Sequence, residues 1–429
     1  MKILHYGLGF PPERSGGLVK YSLSLINEQL NSGHDLKLVY PGRLNFIHKE
    51  AYFKSGVRQN IPFAELINSL PLPLIGNIKN PADFMMPANI NIFLDFLSTE
   101  KPDVIHLHTL MGLYAEFLTA AKQLNIKVVF TTHDFFGISP NPKFYLDGHD
   151  FVDDTEYDIW NNIQKYGSST KKIRLVQLSV YPHLRKLLKQ IKKPLMHKTN
   201  SVERVNFRTQ LDRDFQDLKN YYLDMLQNVD TVHFNSKISK QVYQKFLPKM
   251  NWKEFIVPIT SENIDGGEVQ LKKNNINTIA YIGPYTEEKG FFDFIKIADE
   301  FLKRDSNHRV ILMGDDTPIS LDNITNFGKY NREQMMQYLD QIDLVVLPSR
   351  WHETFGLIAL EVLASGTKVV VSSKMGVKDI LPNDFQSEFN ELLNYRDISQ
   401  QSFEVEISDM KKHAHQIGLL YNDSFYVKG

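Results

Sequence analysis

Short apolar runs alternate with helix-like amphipathic segments along most of the chain, and this alternation limits the fold more than any other feature. The apolar runs lie at residues 2–7, 36–40, 104–108, 128–132, 229–234, 278–283, 309–314, 344–348 and 368–372. Apolar strands separated by helices are typical of parallel sheets with helices on both faces. The sequence therefore predicts an α/β protein, and 429 residues are enough for two separate cores.

The strand-like runs fall into two series, with a polar stretch at residues 259–274 between them. Polar, Gly-containing stretches between periodic segments are typical of linkers. We therefore expect a first domain at residues 1–260 and a second at 275–400. Residues 138–228 contain no strand signal and predict a mostly helical insertion in the first domain. Residues 401–429 predict a C-terminal helical segment, for which crossing back to the first domain is an open arrangement.

Composition excludes several classes of protein. The chain contains no Cys, which rules out disulfides, thiolate zinc sites and a Cys nucleophile. Its formal net charge is -1, so no overall charge favours nucleic acid as a partner. The N-terminal apolar run is too short for a signal peptide, and no run approaches the ~20 residues of a membrane span. We expect a cytoplasmic protein, either free or at the inner face of the membrane.

The strongest motif is PSRWHETFGLIALEVLA at residues 348–364. A buried strand ends here, a polar loop follows, and Gly356 opens a helix. Free N–H groups and the helix dipole make such an N-terminus suitable for phosphate. Glu353 lies in the loop at the strand's carboxyl end, and Glu361 follows about two turns into the helix. Carboxylates accept hydrogen bonds from sugar or ribose hydroxyls, so this segment predicts a site for a phosphorylated sugar.

This string resembles the signature of the GT-B retaining glycosyltransferases of family four, also called group one. The signature has two Glu separated by seven residues, with Phe-Gly after the first. The resemblance implies two Rossmann-like domains facing each other across a cleft, the second of which binds the nucleotide sugar. It implies that Glu353 contacts donor-sugar hydroxyls and Glu361 the ribose. It also implies that Phe355, Gly356 and Leu357 present backbone to the sugar and the diphosphate.

A second match is YIGPYTEEKG at residues 281–290. The resemblance implies that Lys289 binds the diphosphate and stabilises charge on the departing phosphate. The family usually has Arg at the position of Pro284, and we hypothesise that Arg350 supplies the missing charge. The resemblance also places the nucleotide base near segments that contain Gly314 and Lys329.

Two features of the first half belong to the same resemblance. Gly16 and Gly17 form a Gly-Gly loop after the first strand, which lines the cleft. His133 follows the strand at 128–132 and is expected to contact the donor sugar near the reacting centre. A nicotinamide-binding fingerprint beginning at Gly7 is the rival interpretation, but Pro12 stands where its third Gly is required.

The implied reaction is transfer of a sugar from a UDP- or GDP-type donor to a carbohydrate or lipid-linked acceptor, with retention of configuration. No cofactor and no metal are expected, since the nucleotide sugar is a substrate. Bacterial surface polysaccharide or glycoconjugate synthesis is the pathway that the resemblance suggests. A non-catalytic sugar-binding subunit and a nucleotide-sugar epimerase on the same fold remain alternatives.

Residues 171–198 contain nine Lys or Arg and no Asp or Glu. Leu184, Leu187, Leu188 and Ile191 fall on one face of a helix, with basic residues around them. Such a segment can lie in the interface of an anionic membrane. The alternative is a basic helix that packs its leucines on the domain.

Overall fold

The computed structural model describes residues 1–74, 77–154, 156–178, 181, 213–271, 273–319, 323–389 and 395–422. The strands of this part of the chain are β1 (Lys2–Tyr6), β2 (Asp35–Pro41), β3 (Tyr52–Arg58), β4 (Ile61–Ile67), β5 (Asn77–Ile78), β6 (Val104–Leu107), β7 (Lys127–Thr131), β8 (Tyr145–Leu146), β9 (His149–Asp150), β10 (Gly167–Ser168), β11 (Thr231–Phe234), β12 (Lys253–Ile256), β13 (Gly267–Leu271), β14 (Thr278–Ile282), β15 (Arg309–Met313), β16 (Ile324–Asn326), β17 (Leu344–Leu347), β18 (Lys368–Ser372), β19 (Gln386–Ser387) and β20 (Phe403–Ile407).

The α-helices are α1 (Gly17–Asn31), α2 (Ile90–Glu100), α3 (Ala115–Gln123), α4 (Ile159–Asn162), α5 (Thr170–Ile173), α6 (Arg213–Gln227), α7 (Lys237–Phe246), α8 (Phe291–Arg304), α9 (Arg332–Leu339), α10 (Leu357–Ala364), α11 (Tyr395–Gln400) and α12 (Met410–Tyr421). Short 3₁₀ turns lie at Pro81–Phe84, Ile163–Tyr166, Arg174–Gln177, Gly376–Ile380 and Asn383–Phe385.

Two large sheets confirm the predicted α/β class. The first has the order β12-β11-β7-β6-β1-β2-β4-β3, parallel except for β3 at its edge. The second has the order β16-β15-β14-β17-β18-β19 and is parallel throughout. All residues of β6, β11, β17 and β18 are buried, because helices cover both faces of a parallel sheet. The carboxyl ends of the strands therefore offer the loops that can build a site.

The chain passes from the first sheet to the second and then returns. Strands β13 and β20 pair antiparallel beside the second sheet, within and after the polar stretch that the sequence marks as a linker. Helix α12 then packs against α1 and β7 of the first domain. Its His413 is fully buried and bonds the hydroxyl of Tyr21 on α1. The last helix therefore fastens the end of the described chain to the first domain.

The predicted insertion at 138–228 is not purely helical in its described part. It contains the hairpin β8–β9 and the two-residue strand β10, along with short helices and the long helix α6. The missing strand signal reflects their length, since a two-residue strand has no periodicity to read. Of the basic segment at 171–198, only residues 171–178 and 181 are described, and the leucine face lies outside them. No described helix is both long enough and apolar enough to span a bilayer.

Candidate active site

A cavity of about 620 Å³ lies between the two domains and is lined by both. The first domain contributes Gly16 and Gly17 from the loop after β1, and His133 from the loop after β7. The second contributes the loops after β14 and β17. Carboxyl-end loops of both sheets thus meet at one place. The lining from the second domain includes Lys289, Glu353, Phe355, Gly356 and Leu357.

Backbone pairing holds the Glu353 loop in place. The N–H of Glu353 donates to the carbonyl of Lys374 at 2.9 Å, and the N–H of Gly376 donates to the carbonyl of Glu353 at 3.0 Å. The N–H of Val377 donates to the carbonyl of Phe355 at 2.8 Å. Three backbone hydrogen bonds therefore hold the chain between β17 and α10 against the segment after β18. Because these bonds already hold the loop in the free protein, the Glu353 side chain needs no rearrangement during the reaction.

Lys289 and Glu353 form an ion pair in the cavity, with 2.9 Å between Lys289 Nζ and Glu353 Oε1. The Glu353 side chain is 10% exposed and the Lys289 side chain 30%. The ammonium group also lies 5.2 Å from the ring centre of Trp351, a cation–π distance. The two residues that the sequence assigns to sugar and phosphate are thus neighbours in the described structure.

Gly356 turns the chain into α10 with a backbone angle φ of 110°. A side chain there would be strained, and a Cβ would come within 2.6 Å of Met375 Cε. The N-terminus of α10 faces the Gly-Gly loop of the other domain, because a Cβ added to Gly17 would lie 3.8 Å from the Leu357 side chain. An anion in this gap would meet the N–H groups and the positive end of the dipole of α10.

A second cavity adjoins the first and shares Gly16, Gly283, Pro284 and Tyr330 with it. Gly314 and Lys329 line this second space, so the expected base-side segments flank the same cleft. Gly314 is required by packing, since a Cβ there would lie 2.6 Å from the carbonyl oxygen of Gly283. The Lys329 ammonium bonds Asp316 and its side chain is 64% exposed.

Glu361 lies on α10 and forms an ion pair with Lys20 of α1 at 2.5 Å. Ser261 Oγ also donates to it, at 3.4 Å. Glu361 therefore connects the second domain to the first, and its side chain is 16% exposed. Neither cavity is lined by Glu361 itself, although Lys20 lines the second.

Arg350 does not join this group of residues. Its guanidinium donates to both carboxylate oxygens of Asp293, at 2.5 and 2.7 Å, and to Glu287 at 2.9 Å. These partners raise the pKa of Arg350, and the hydrogen bonds to Asp293 have the largest effect. Bidentate pairing of this type is among the strong hydrogen bonds of proteins. The hypothesis that Arg350 replaces the usual Arg at Pro284 is therefore not favoured, since its donors face α8 and the loop before it.

His133 lies at the cavity wall with its ring against Tyr21, at 4.6 Å between ring centres. Burial lowers the pKa of His133 to about 3, so the ring is neutral at physiological pH. Its neighbour Asp134 has its pKa raised to about 7 by burial. The Thr354 hydroxyl donates to the His133 carbonyl at 2.8 Å, which ties this loop to the Glu353 loop.

Several residues of the cavity wall were not predicted from the sequence. Asn235 follows β11 and is fully buried, and neither its Oδ1 nor its Nδ2 has a described hydrogen-bond partner. The Trp351 indole N–H is likewise buried without a described partner. Buried polar atoms are normally paired, so a ligand hydroxyl or water is the expected partner of each. The only available signal was their position at strand ends.

Two groups of described residues have ligand atoms close enough for a metal ion: His5, His106 and His108, and Asp150, Asp153 and His352. The three histidines are already bonded to one another or to neighbouring side chains. The second group already holds Lys374, whose ammonium lies 2.6 Å from both Asp150 and Asp153. Their contacts account for both groups without an ion.

Two Rossmann-like sheets that face each other across a cavity built from their carboxyl-end loops define the GT-B class of glycosyltransferase. Comparison with known sequences agrees. The sequence profile of "Glycosyl transferases group 1" matches residues 267–392, and that of "Glycosyltransferase Family 4" matches residues 15–166. The chain therefore belongs to the glycosyl transferases group 1 family of GT-B enzymes and is a glycosyltransferase of the hexosyltransferase type.

Individual relatives are distant. An uncharacterized 42.6 kDa protein in the cps region of Klebsiella pneumoniae is 24% identical over 75% of this chain and 69% of that protein. A phosphatidyl-myo-inositol mannosyltransferase from Propionibacterium freudenreichii is 25% identical over 25% of this chain and 28% of that enzyme. Among solved structures, Anabaena HepE in complex with UDP has a TM-score of 0.53 at 13% identity, over 99% of this chain and 98% of HepE. The last similarity supports the fold.

Proposed function

We propose that this enzyme transfers a hexose from a nucleoside diphosphate to a hydroxyl group of a carbohydrate or lipid-linked acceptor, with retention of anomeric configuration. One observation carries the proposal. A buried carboxylate, Glu353, and a lysine, Lys289, lie side by side in the interdomain cavity, at the N-terminus of a helix. Glu353 can accept hydrogen bonds from sugar hydroxyls, Lys289 can balance the charge of a phosphate, and the first N–H groups of the helix can bind an anion. One ligand in the cavity can therefore contact all three.

In the proposed complex, the diphosphate, the sugar and the ribose of the donor contact different residues. The diphosphate is placed at Lys289 and the first turn of α10, where negative charge on the leaving group is stabilised. The sugar is placed against Glu353 and His133, and the ribose toward Glu361. In this arrangement the protein positions the reactants and stabilises charge, and the departing phosphate accepts the acceptor's proton.

A UDP donor is the first to test, because HepE has been solved with UDP and an Escherichia coli trehalose-6-phosphate protein with UDP-2-fluoro glucose. GDP sugars are the second. The cps-region relative from Klebsiella supports a place in bacterial surface polysaccharide synthesis, and we propose that the enzyme works at the cytoplasmic side of the membrane. A lipid-linked acceptor would suit that position.

The test is an assay of purified protein with UDP- and GDP-hexoses, following nucleotide release with and without candidate acceptors. The anomeric proton coupling of the product, read by NMR, reports retention or inversion. Lys289→Met should lower turnover about a hundredfold, since a charge aimed at the leaving phosphate is removed. Lys296→Met is the matched control, because Lys296 lies on α8 with its side chain 74% exposed.

Three results would contradict the proposal. Equal activity of Lys289→Met and Lys296→Met would remove the assigned role of Lys289. Conversion of the donor to its epimer without nucleotide release would identify an epimerase. Donor binding, seen as a raised melting temperature, with no turnover on any acceptor and no slow donor hydrolysis, would identify a non-catalytic subunit.

A further inference from the structure

A chain of buried hydrogen bonds runs from the backbone of the first domain to the cavity wall. It links nine groups through eight bonds of 2.7–3.1 Å. In order, the groups are the Val257 carbonyl, His233, Thr131, His106, Tyr421, Gln29, His5, His108 and His133. Only its last member lines the cavity.

Each ring in this chain is neutral, so each has one N–H and one bare nitrogen. Burial lowers the pKa of His5 and His233 to about 4 and that of His133 to about 3. Burial also lowers the pKa of His106 and His108 well below the ordinary value, with neighbouring rings adding to the effect. A neutral ring that donates through one nitrogen must accept through the other.

The backbone end of the chain sets its direction. A carbonyl oxygen only accepts, so His233 Nε2 carries the proton that goes to Val257, at 2.7 Å. His233 Nδ1 is then bare and accepts from the Thr131 hydroxyl at 2.9 Å. Thr131 has used its only proton, so its oxygen accepts from His106 Nε2 at 2.7 Å.

The same logic continues to Gln29. His106 Nδ1 is bare and accepts from the Tyr421 hydroxyl at 2.7 Å. The Tyr421 oxygen then accepts from Gln29 Nε2 at 3.1 Å. The carboxamide oxygen of Gln29 is thereby turned to His5, and it accepts from His5 Nε2 at 2.9 Å.

The chain ends on His133. His5 Nδ1 is bare and accepts from His108 Nε2 at 3.0 Å. His108 Nδ1 is bare and accepts from His133 Nε2 at 3.1 Å. His133 therefore carries its proton on the inward nitrogen. Its Nδ1 has no partner among the described residues and is left as a lone pair at the cavity wall.

We propose that this chain fixes the tautomer of His133 so that Nδ1 accepts a hydrogen bond from a hydroxyl of the donor sugar. The assignment of that hydroxyl to a donor sugar rests on the proposed function, whereas the tautomer does not. His133 can then serve neither as a proton donor to the leaving group nor as a cation for the diphosphate. Thr131, Gln29 and His108 are positioning residues that act through His133.

The tautomer is measured on the ligand-free protein by long-range ¹H–¹⁵N correlation of deuterated, [¹⁵N]histidine-labelled protein. His133→Asn assigns the signals by their disappearance. A protonated Nε2 and a bare Nδ1 on His133 are expected. A protonated Nδ1, or an average of both forms, would overturn the proposal, whatever the enzyme does with sugars.

Thr131→Val tests the chain itself, with Thr131→Ser as the matched control. Valine removes the link to Val257 and leaves His106 Nε2–H without an acceptor, so reversal of the chain becomes favourable. The His133 signals should then show the Nδ1–H form in at least part of the population, and serine should preserve the native spectrum. An unchanged tautomer in folded Thr131→Val would show that something other than the chain fixes it.

A functional readout links the tautomer to the donor. Donor KM should rise about fivefold in Thr131→Val, the effect of one lost neutral hydrogen bond, and stay near the native value in Thr131→Ser. Donors carrying fluorine in place of single hydroxyls should identify the partner, since fluorine cannot donate. If His133 has the expected tautomer but no donor is used, the proposed function is wrong, while the direction of the hydrogen-bond chain still holds.

Discussion

Lowering the pH from 7 to 5.5 should destabilise this protein strongly, because its first domain buries neutral histidines. His5, His106, His108, His233 and His413 are each at most 1% exposed. Burial holds the pKa of all five below the ordinary value, to about 4 for His5 and His233. The unfolded chain has none of this burial, so its histidines titrate near pH 6.5.

The sign follows from the lowered native pKa. As the pH falls through 6.5, the unfolded state takes up protons that the native state refuses, so the free energy of unfolding falls. The stability from each histidine is complete above pH 6.5 and is lost between there and the native pKa. Each neutral histidine accounts for about 1.2 kcal/mol between pH 7 and 5.5, and the five for about 6 kcal/mol.

Asp134 works in the opposite direction. Burial raises its pKa to about 7, so the native state gains a proton in this interval that the unfolded state does not. Proton uptake by Asp134 therefore stabilises the folded protein by about 1 to 2 kcal/mol over this pH interval. A net loss of about 4 kcal/mol remains, a large part of the 5–15 kcal/mol that stabilises a typical domain.

The assay is urea unfolding at closely spaced pH values, followed by circular dichroism. His413→Phe should reduce the slope of stability against pH by about one proton, since the ring stays against Tyr21 but no longer titrates. A change below about 1 kcal/mol between pH 7 and 5.5 would refute the reasoning and show that these histidines are hydrated or charged in the native state.

The remaining predictions concern the cleft. Glu353→Gln should fold and lose about a hundredfold in turnover, measured as nucleotide release, and retention of half the activity would remove its role. Glu361→Ala should raise donor KM several-fold and loosen the contact with Lys20, whereas a change in melting temperature alone would make it a structural residue. Arg350→Ala should lower the melting temperature by freeing Asp293 and leave donor KM within about twofold, so a selective loss of diphosphate over monophosphate affinity would restore Arg350 to the phosphate site.

Most strands of the two large sheets could be predicted because parallel strands buried on both faces give continuous apolar runs. The strands that were missed are of another kind. β3, β12, β16 and β19 are edge strands in which no residue is buried, and β4 contains Pro62. β13 and β20 alternate polar and apolar residues as a two-stranded sheet, so the sequence pattern of β13 is typical of a polar linker.

Site residues could be predicted where their neighbours in the sequence determine their position. They could not be predicted where their partners come from distant parts of the chain. Glu353 and Gly356 follow a strand and open a helix, a context visible in sequence. The partners of Arg350 were not visible, because Asp293 and Glu287 lie 57 and 63 residues away along the chain and only the fold brings them to it. The histidine chain is harder still, since its members are scattered from His5 to Tyr421 and only the fold brings them together, with Tyr421 of α12 joining His106 to Gln29.

The pairing of Lys289 with Glu353 indicates how one cavity can serve an empty and a loaded enzyme. Without donor, each charge neutralises the other, so the nearly buried carboxylate is not left alone. With donor, the diphosphate can take over the lysine while sugar hydroxyls take over the carboxylate. Lys289→Met should therefore destabilise the free protein by about 1 to 3 kcal/mol, and adding Glu353→Gln should restore most of that loss. Urea unfolding of the two single variants and the double variant measures the coupling, and additive effects would show that the pair contributes nothing to the stability of the empty cleft.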